Sequence, residues 1–136
     1  MKNLILLLSV VVLTFTSCNS DDDSALQEDS FVGIWTNSKI LFNSNEQPID
    51  DCDRQSTFSI KSDGTFTESA YHSDTGGSCV FEFEEPGTWE NLGNGIYRLI
   101  YDPIGNEPSY EEDITVNNNT FSVFYDDPYI YVFTKN

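Results

Sequence analysis

From residue 31 onward the chain is cut into short runs by turn-forming residues, and within most runs apolar side chains alternate with polar ones. The cuts fall at Asp63-Gly64, Gly93-Asn94-Gly95, Asn117-Asn118-Asn119 and Asp126-Asp127-Pro128. Asp-Gly and Asn-Gly supply the positive φ angles that tight hairpins need. No stretch of this region carries a 3.6-residue apolar period. The pattern predicts strands over 31–42, 54–61, 66–72, 79–92, 96–101, 110–116, 120–125 and 129–134, with 43–51 a polar loop. Proline cannot donate to a ladder, so Pro86-Gly87 predicts a kink, bulge or turn that splits 79–92. Successive hairpins make a meander, and a meander of eight strands closes most economically into a barrel that removes its exposed edges. The expected fold is therefore all-β, an eight-stranded antiparallel up-and-down barrel. An immunoglobulin-like sandwich places a Trp between paired cysteines. Here the order is Trp35, Cys52, Cys79, Trp89, with both tryptophans outside the pair.

The N-terminus has a different chemistry. Met1-Lys2-Asn3 precede an apolar run over 4–15 broken only by Ser9 and Thr14. The run is too short to span a bilayer and has the length and flanks of a signal-peptide core. Thr16-Ser17-Cys18 follow, and then the chain turns acidic at once with Asn19-Ser20-Asp21-Asp22-Asp23. A Cys so placed resembles the lipobox of bacterial lipoproteins, with Phe15 where that motif usually has Leu. The resemblance implies a cleaved signal peptide (1–17), a lipidated Cys18 as the first mature residue and an acidic tether (18–30) before the barrel domain (31–136). Ser20-Asp21-Asp22-Asp23 resembles the acidic run that directs some lipoproteins to the outer face of the outer membrane. The implied location is the outer membrane, with the cell surface favoured over the periplasmic face. Asp23-Ser24-Ala25 resembles a bacterial O-glycosylation acceptor, and residues 24–29 are compatible with one helical turn.

Six Lys and Arg stand against 23 Asp and Glu, for a net charge of −17. Such a surface repels phosphates and anionic headgroups, which argues against nucleic acid as a partner. The domain is nonetheless rich in Phe, Tyr and Trp, unlike a disordered acidic tail. With Cys18 lipidated, Cys52 and Cys79 remain as a pair in an oxidising compartment, so a disulfide is expected. Closing a loop of about 27 residues contributes about 3.5 kcal/mol through chain entropy. Metal binding is the rival use of these cysteines, but His72 is the one histidine and there is no Cys-x-x-Cys.

Gly33-Ile34-Trp35 at the start of the first strand resembles the Gly-x-Trp signature of lipocalins. In the same order come Cys52, Phe58, Ile60, Asp63-Gly64-Thr65, Cys79, Gly87-Thr88-Trp89 and Phe133-Thr134-Lys135. This set resembles the small lipidated lipocalin-like domain proteins of bacteria over residues 31–135. The Thr-Asp-x-x-Tyr motif of the larger lipocalins is missing. The resemblance implies a barrel-closing role for Gly33, Trp35, Gly87 and Trp89, with Arg98 covering the signature Trp. It also implies ligand binding.

Catalysis is not expected, because nucleophile–base chemistry needs a positioned base and His72 lies in a polar strand-end context. No cofactor and no metal are expected. The acidic clusters Asp50-Asp51-Cys52-Asp53 and Asp126-Asp127 match no calcium-loop spacing and read as solvated turns. Phe58, Tyr97, Tyr101 and Tyr131 each fall on one face of a strand and are the candidate ligand-lining residues. The functional expectation is a monomeric, membrane-anchored protein that binds a small apolar or amphipathic molecule. The alternative is an acidic module that captures or inhibits a basic protein.

Overall fold

The computed structural model describes residues 28–125 and 128–136. The expected signal peptide, the lipidation site Cys18 and most of the tether lie outside the described residues. Nine strands form one antiparallel sheet: β1 (Gly33–Phe42), β2 (Asn45–Gln47), β3 (Thr57–Ile60), β4 (Thr65–Ser73), β5 (Cys79–Gly93), β6 (Ile96–Tyr101), β7 (Tyr110–Thr115), β8 (Thr120–Val123) and β9 (Tyr129–Lys135). The spatial order is β7-β6-β5-β4-β3-β1-β9-β8, and β2 pairs with β1. The path curls until β7 and β8 lie side by side, giving a nearly closed barrel. These two strands do not form a ladder. A single bridge, Asn117 with Thr120, joins them at their turn, where Asn118 and Asn119 adopt positive φ.

Eight of these strands match the predicted runs to within a few residues, and two differences have simple causes. The ninth strand, β2, folds back on β1 from within the expected polar loop, by a turn in which Asn43 and Ser44 adopt positive φ. Pro86 does not interrupt β5, which continues from Cys79 to Gly93. A strand residue turns its N–H and C=O to the same side, and the Pro86 carbonyl accepts from Asp102 N–H, just past the end of β6. The missing donor therefore faces a place where no ladder needs it.

Period-two alternation sends one face of each strand inward. Phe31, Trp35, Phe58, Ile60, Phe66, Tyr97, Leu99, Tyr101, Ile114, Phe121, Val123 and Phe133 form one buried cluster. Segment 28–32, the turns at 61–64 and 94–95, the 117–119 turn and the C-terminus gather at one end. The long connections over 43–56, 74–78 and 102–109 gather at the other, with residues 124 and 125. The Cys52–Cys79 disulfide spans a Cα–Cα distance of 5.3 Å and ties the 43–56 connection to the tip of the β4–β5 hairpin. It staples the second end, not the core.

Candidate functional site

The end that receives the N-terminal segment is filled. Trp35 is fully buried, packs against Phe31 and Phe121, and donates its indole N–H to the Phe31 carbonyl at 2.8 Å. Gly33 has a φ of 143°, a conformation in which side chains are strained. Phe66 lies across the barrel wall on Gly87, where any Cβ would meet the Ile100 carbonyl oxygen at 2.4 Å and the Phe66 ring at 2.5 Å. The glycine leaves the space that the phenyl ring fills. Trp89 is half-buried, stands edge-on to Phe31 and donates to the Lys61 carbonyl at 2.9 Å. Asp29 accepts from Phe31 N–H, Tyr97 Oη and Asn91 Nδ2. Its partial burial opposes ionisation, but these donors outweigh that and hold the carboxyl below its ordinary range.

Arg98 does not cover Trp35. It lies on the outer face of β6, in register with Asp113 of β7, and its guanidinium forks onto that carboxylate at 2.7 and 2.9 Å. The side chains of Tyr97 and Leu99 take the inward positions, so strand parity sends Arg98 out. Lys135 takes the expected place, with its ammonium 5.8 Å from the Trp35 ring centroid and hydrogen-bonded to the Ser30 carbonyl.

The opposite end is polar inside. Glu68 of β4 is 1% exposed and points inward between Phe66 and Ala70. Its carboxyl accepts from Tyr101 Oη at 2.8 Å and from Tyr125 Oη. Tyr125 exposes part of its ring, but its hydroxyl is buried against Glu68. Burial pushes the Glu68 carboxyl up to about 7, the two tyrosine hydroxyls opposing and the nearby charges of Glu85 and Glu112 adding to it. Burial, followed by the Glu68 charge, raises the phenols of Tyr101 and Tyr125 in turn. Tyr110 stacks on Tyr101 with centroids 4.2 Å apart and donates to Glu85 at 2.9 Å. Glu112, raised by burial, lies beside the Phe124 backbone at the seam that β7 and β8 leave unpaired.

Beside this polar cluster the barrel holds a cavity of ≈ 200 Å³, walled by Ser56, Ala70, Phe83, Tyr125, Tyr131 and Phe133 with Asp53, Tyr71, His72 and Glu82. A more open hollow of ≈ 410 Å³ lies under the 102–109 connection, between Glu85, Ile104 and Tyr110. The first is the better candidate site because the barrel wall itself encloses it.

The four candidate ligand-lining residues separate. Phe58 is fully buried in the aromatic core and Tyr97 is bonded to Asp29 at the closed end, so neither lines the cavity. Tyr101 is buried with its hydroxyl on Glu68, and Tyr131 is a cavity wall. Sequence reasoning missed Glu68. The signal for Glu68 was available in its parity, since it shares a strand face with Phe66 and Ala70. Asp50, in the acidic cluster before β3, caps a short 3-10 turn (Asp53–Gln55) by accepting from Cys52 and Asp53 N–H at 2.8 and 2.9 Å. Among the described residues no group of carboxylate, His or Cys side chains has an arrangement that would hold a metal ion.

No curated protein and no solved structure matches the chain significantly. A family model, described as a lipocalin-like domain, matches residues 31–123 and so covers more than half of the sequence. A nearly closed antiparallel barrel with a Gly-x-Trp strand sealing one end fits that match, and the fold suggests a ligand-binding role in general. By its sequence and its barrel, the chain belongs to the lipocalin-like domain family.

Proposed function

We propose that this chain is a lipid-anchored outer-membrane binding protein that takes one small amphipathic molecule into the mouth of its barrel. The observation that carries the reading is the contrast inside the barrel: aromatic packing fills one end, while the other keeps a cavity of ≈ 200 Å³ beside a buried carboxyl group. Pockets for drug-sized ligands run to about 300–1,000 Å³. A void of about 150 Å³ suffices for a benzene-sized molecule. The size of this cavity therefore argues for a compact ligand over a fatty acid or pigment. Its mixed wall of rings, hydroxyls and carboxylates argues for an amphipathic one. The apolar leader, Cys18 and the acidic run after it support acylation and display at the cell surface. The role is binding, not catalysis.

Thermal unfolding of the full chain against a panel of compact amphipathic molecules tests the binding reading. A true ligand at a hundredfold excess over its Kd stabilises the fold by about 2.7 kcal/mol. Ala70→Leu, which projects new methyl groups into the cavity, should abolish that rise. The alternative, capture of a basic protein, draws on exposed carboxylates such as Glu82, Glu84 and Glu90 along β5. It would show as salt-sensitive binding that Ala70→Leu leaves intact. For the anchor, the mass of the mature N-terminus decides: diacyl or triacyl Cys18 supports it, and an unmodified terminus elsewhere removes it.

A further inference from the structure

Every charged group that the cavity walls offer, His72 apart, is negative. Asp53 and Glu82 line it and no lysine or arginine does, while His72 lies 3.5 Å from Glu82. A third carboxyl, Glu68, stands directly behind the Tyr125 wall. The apolar part of the wall is aromatic. Phe83 and Tyr125 meet with centroids 6.3 Å apart at 70°, and Tyr125 and Tyr131 at 4.9 Å and 75°. An aromatic face attracts cations, and these three rings all line the cavity.

Asn37 supplies an independent observation. It is 1% exposed and shares the inward parity of Trp35. Its cross-strand neighbour is Phe133, and its backbone N–H donates to the Ser56 carbonyl at 2.9 Å. Phe133 and Ser56 are both cavity walls, so Asn37 projects into the barrel directly behind them, without itself lining the cavity. Its side-chain oxygen is buried and has no hydrogen-bond partner among the described residues. Buried polar atoms are nearly always paired, so this acceptor calls for a donor.

We infer that the cavity selects a small organic cation, an alkylammonium held among the rings of Phe83, Tyr125 and Tyr131, with an N–H or O–H of the same molecule reaching between the Phe133 and Ser56 walls to donate to Asn37 Oδ1. The inference rests on the ligand-binding reading of this cavity and adds the charge of the ligand. The carboxylates at the rim draw the cation in, and the rings replace part of its hydration.

Choline and its uncharged carbon isostere, dimethylbutanol, form the decisive pair, since they share shape and hydroxyl and differ in charge. Calorimetric titration of the full chain should show choline bound roughly tenfold more tightly than the isostere. Asn37→Leu should weaken both probes, and Phe83→Leu should weaken choline more than the isostere. Equal affinity for the two probes would overturn the cation inference and leave the ligand site standing. Binding of neither would overturn both. Choline binding unchanged by Ala70→Leu would place the cation on the acidic exterior and overturn the inference. If these variants do not fold, nuclear Overhauser contacts in the unaltered protein serve instead. Contacts from the choline methyl groups to the Phe83 and Tyr131 rings support the site, and contacts elsewhere refute it.

Discussion

The two ends of this barrel are built from the same strands with the same alternation, yet they carry opposite chemistry. At the closed end the inward positions hold Trp35, Phe58, Phe66, Leu99 and Phe121, all at most 2% exposed. At the open end the same strands present Glu68, Ala70 and Tyr101, with Tyr131 and Phe83 around a cavity. Close packing of rings gives the first end its stability through area removed from water. The second end keeps a buried carboxyl group that costs free energy when ionised and is satisfied by two phenols. Close packing and the proposed binding site are therefore separated along the barrel axis. The disulfide stiffens the connections around the mouth, where few buried apolar contacts would otherwise hold them.

The largest expected effect lies at the closed end. Trp35→Ala removes a fully buried indole and its bond to Phe31, and should lower stability by about 3–5 kcal/mol. Tyr131→Ala at the mouth should cost clearly less, because its site is already partly open. Denaturant unfolding of both variants measures the contrast, and equal losses would break it.

Next comes the staple. Cys79→Ser should lower stability by roughly 2–4 kcal/mol, and reducing the unaltered protein should reproduce the loss. Peptide mapping without reductant must find the Cys52–Cys79 bond for the comparison to hold.

Glu68 gives the mouth a pH dependence opposite in sign to that of Asp29 at the closed end. Its carboxyl titrates near 4.5 when exposed and at about 7 in the fold. Below the lower value both states are protonated and the group has no effect. Between the two values the folded state binds the proton and the unfolded state does not, so stability falls as pH rises through this window. The loss is at most about 3 kcal/mol, at 1.36 kcal/mol per unit, and it is complete above the folded value. Glu68→Gln keeps an amide that can bond to both phenols and should flatten this slope. A stability profile between pH 4 and 8, unchanged by the substitution, would show that the carboxyl is not the titrating group.

The smallest effect belongs to the outer wall. Arg98→Gln breaks an exposed pair with Asp113 and should leave stability nearly unchanged. Were Arg98 the residue that covers Trp35, the loss would approach that of Lys135→Met, and comparing these two variants separates the cases.

Local chemistry made much of the scaffold legible in the sequence. Asp63-Gly64 and Gly93-Asn94-Gly95 demanded turns, Phe58 and Ile60 demanded a strand face, and the two domain cysteines of a chain expected to be exported were expected to pair. These are short-range consequences of φ preferences, side-chain alternation and compartment. Alternation divides a strand into two faces without saying what each face meets. Tyr97 and Tyr101 share one face of β6, yet one closes the core against Asp29 and the other bonds to Glu68. The resemblance offers Arg98 as the cover for Trp35, but Tyr97 and Leu99 take the inward positions of β6, so Arg98 faces out to Asp113 and Lys135 lies over the ring. The sequence by itself determined the strands, the turns and the covalent pairing, because those depend on neighbours along the chain. Burial of Glu68, the unpaired oxygen of Asn37 and the cavity beside them were decided by tertiary structure, because each depends on what distant strands bring to the same depth of the barrel.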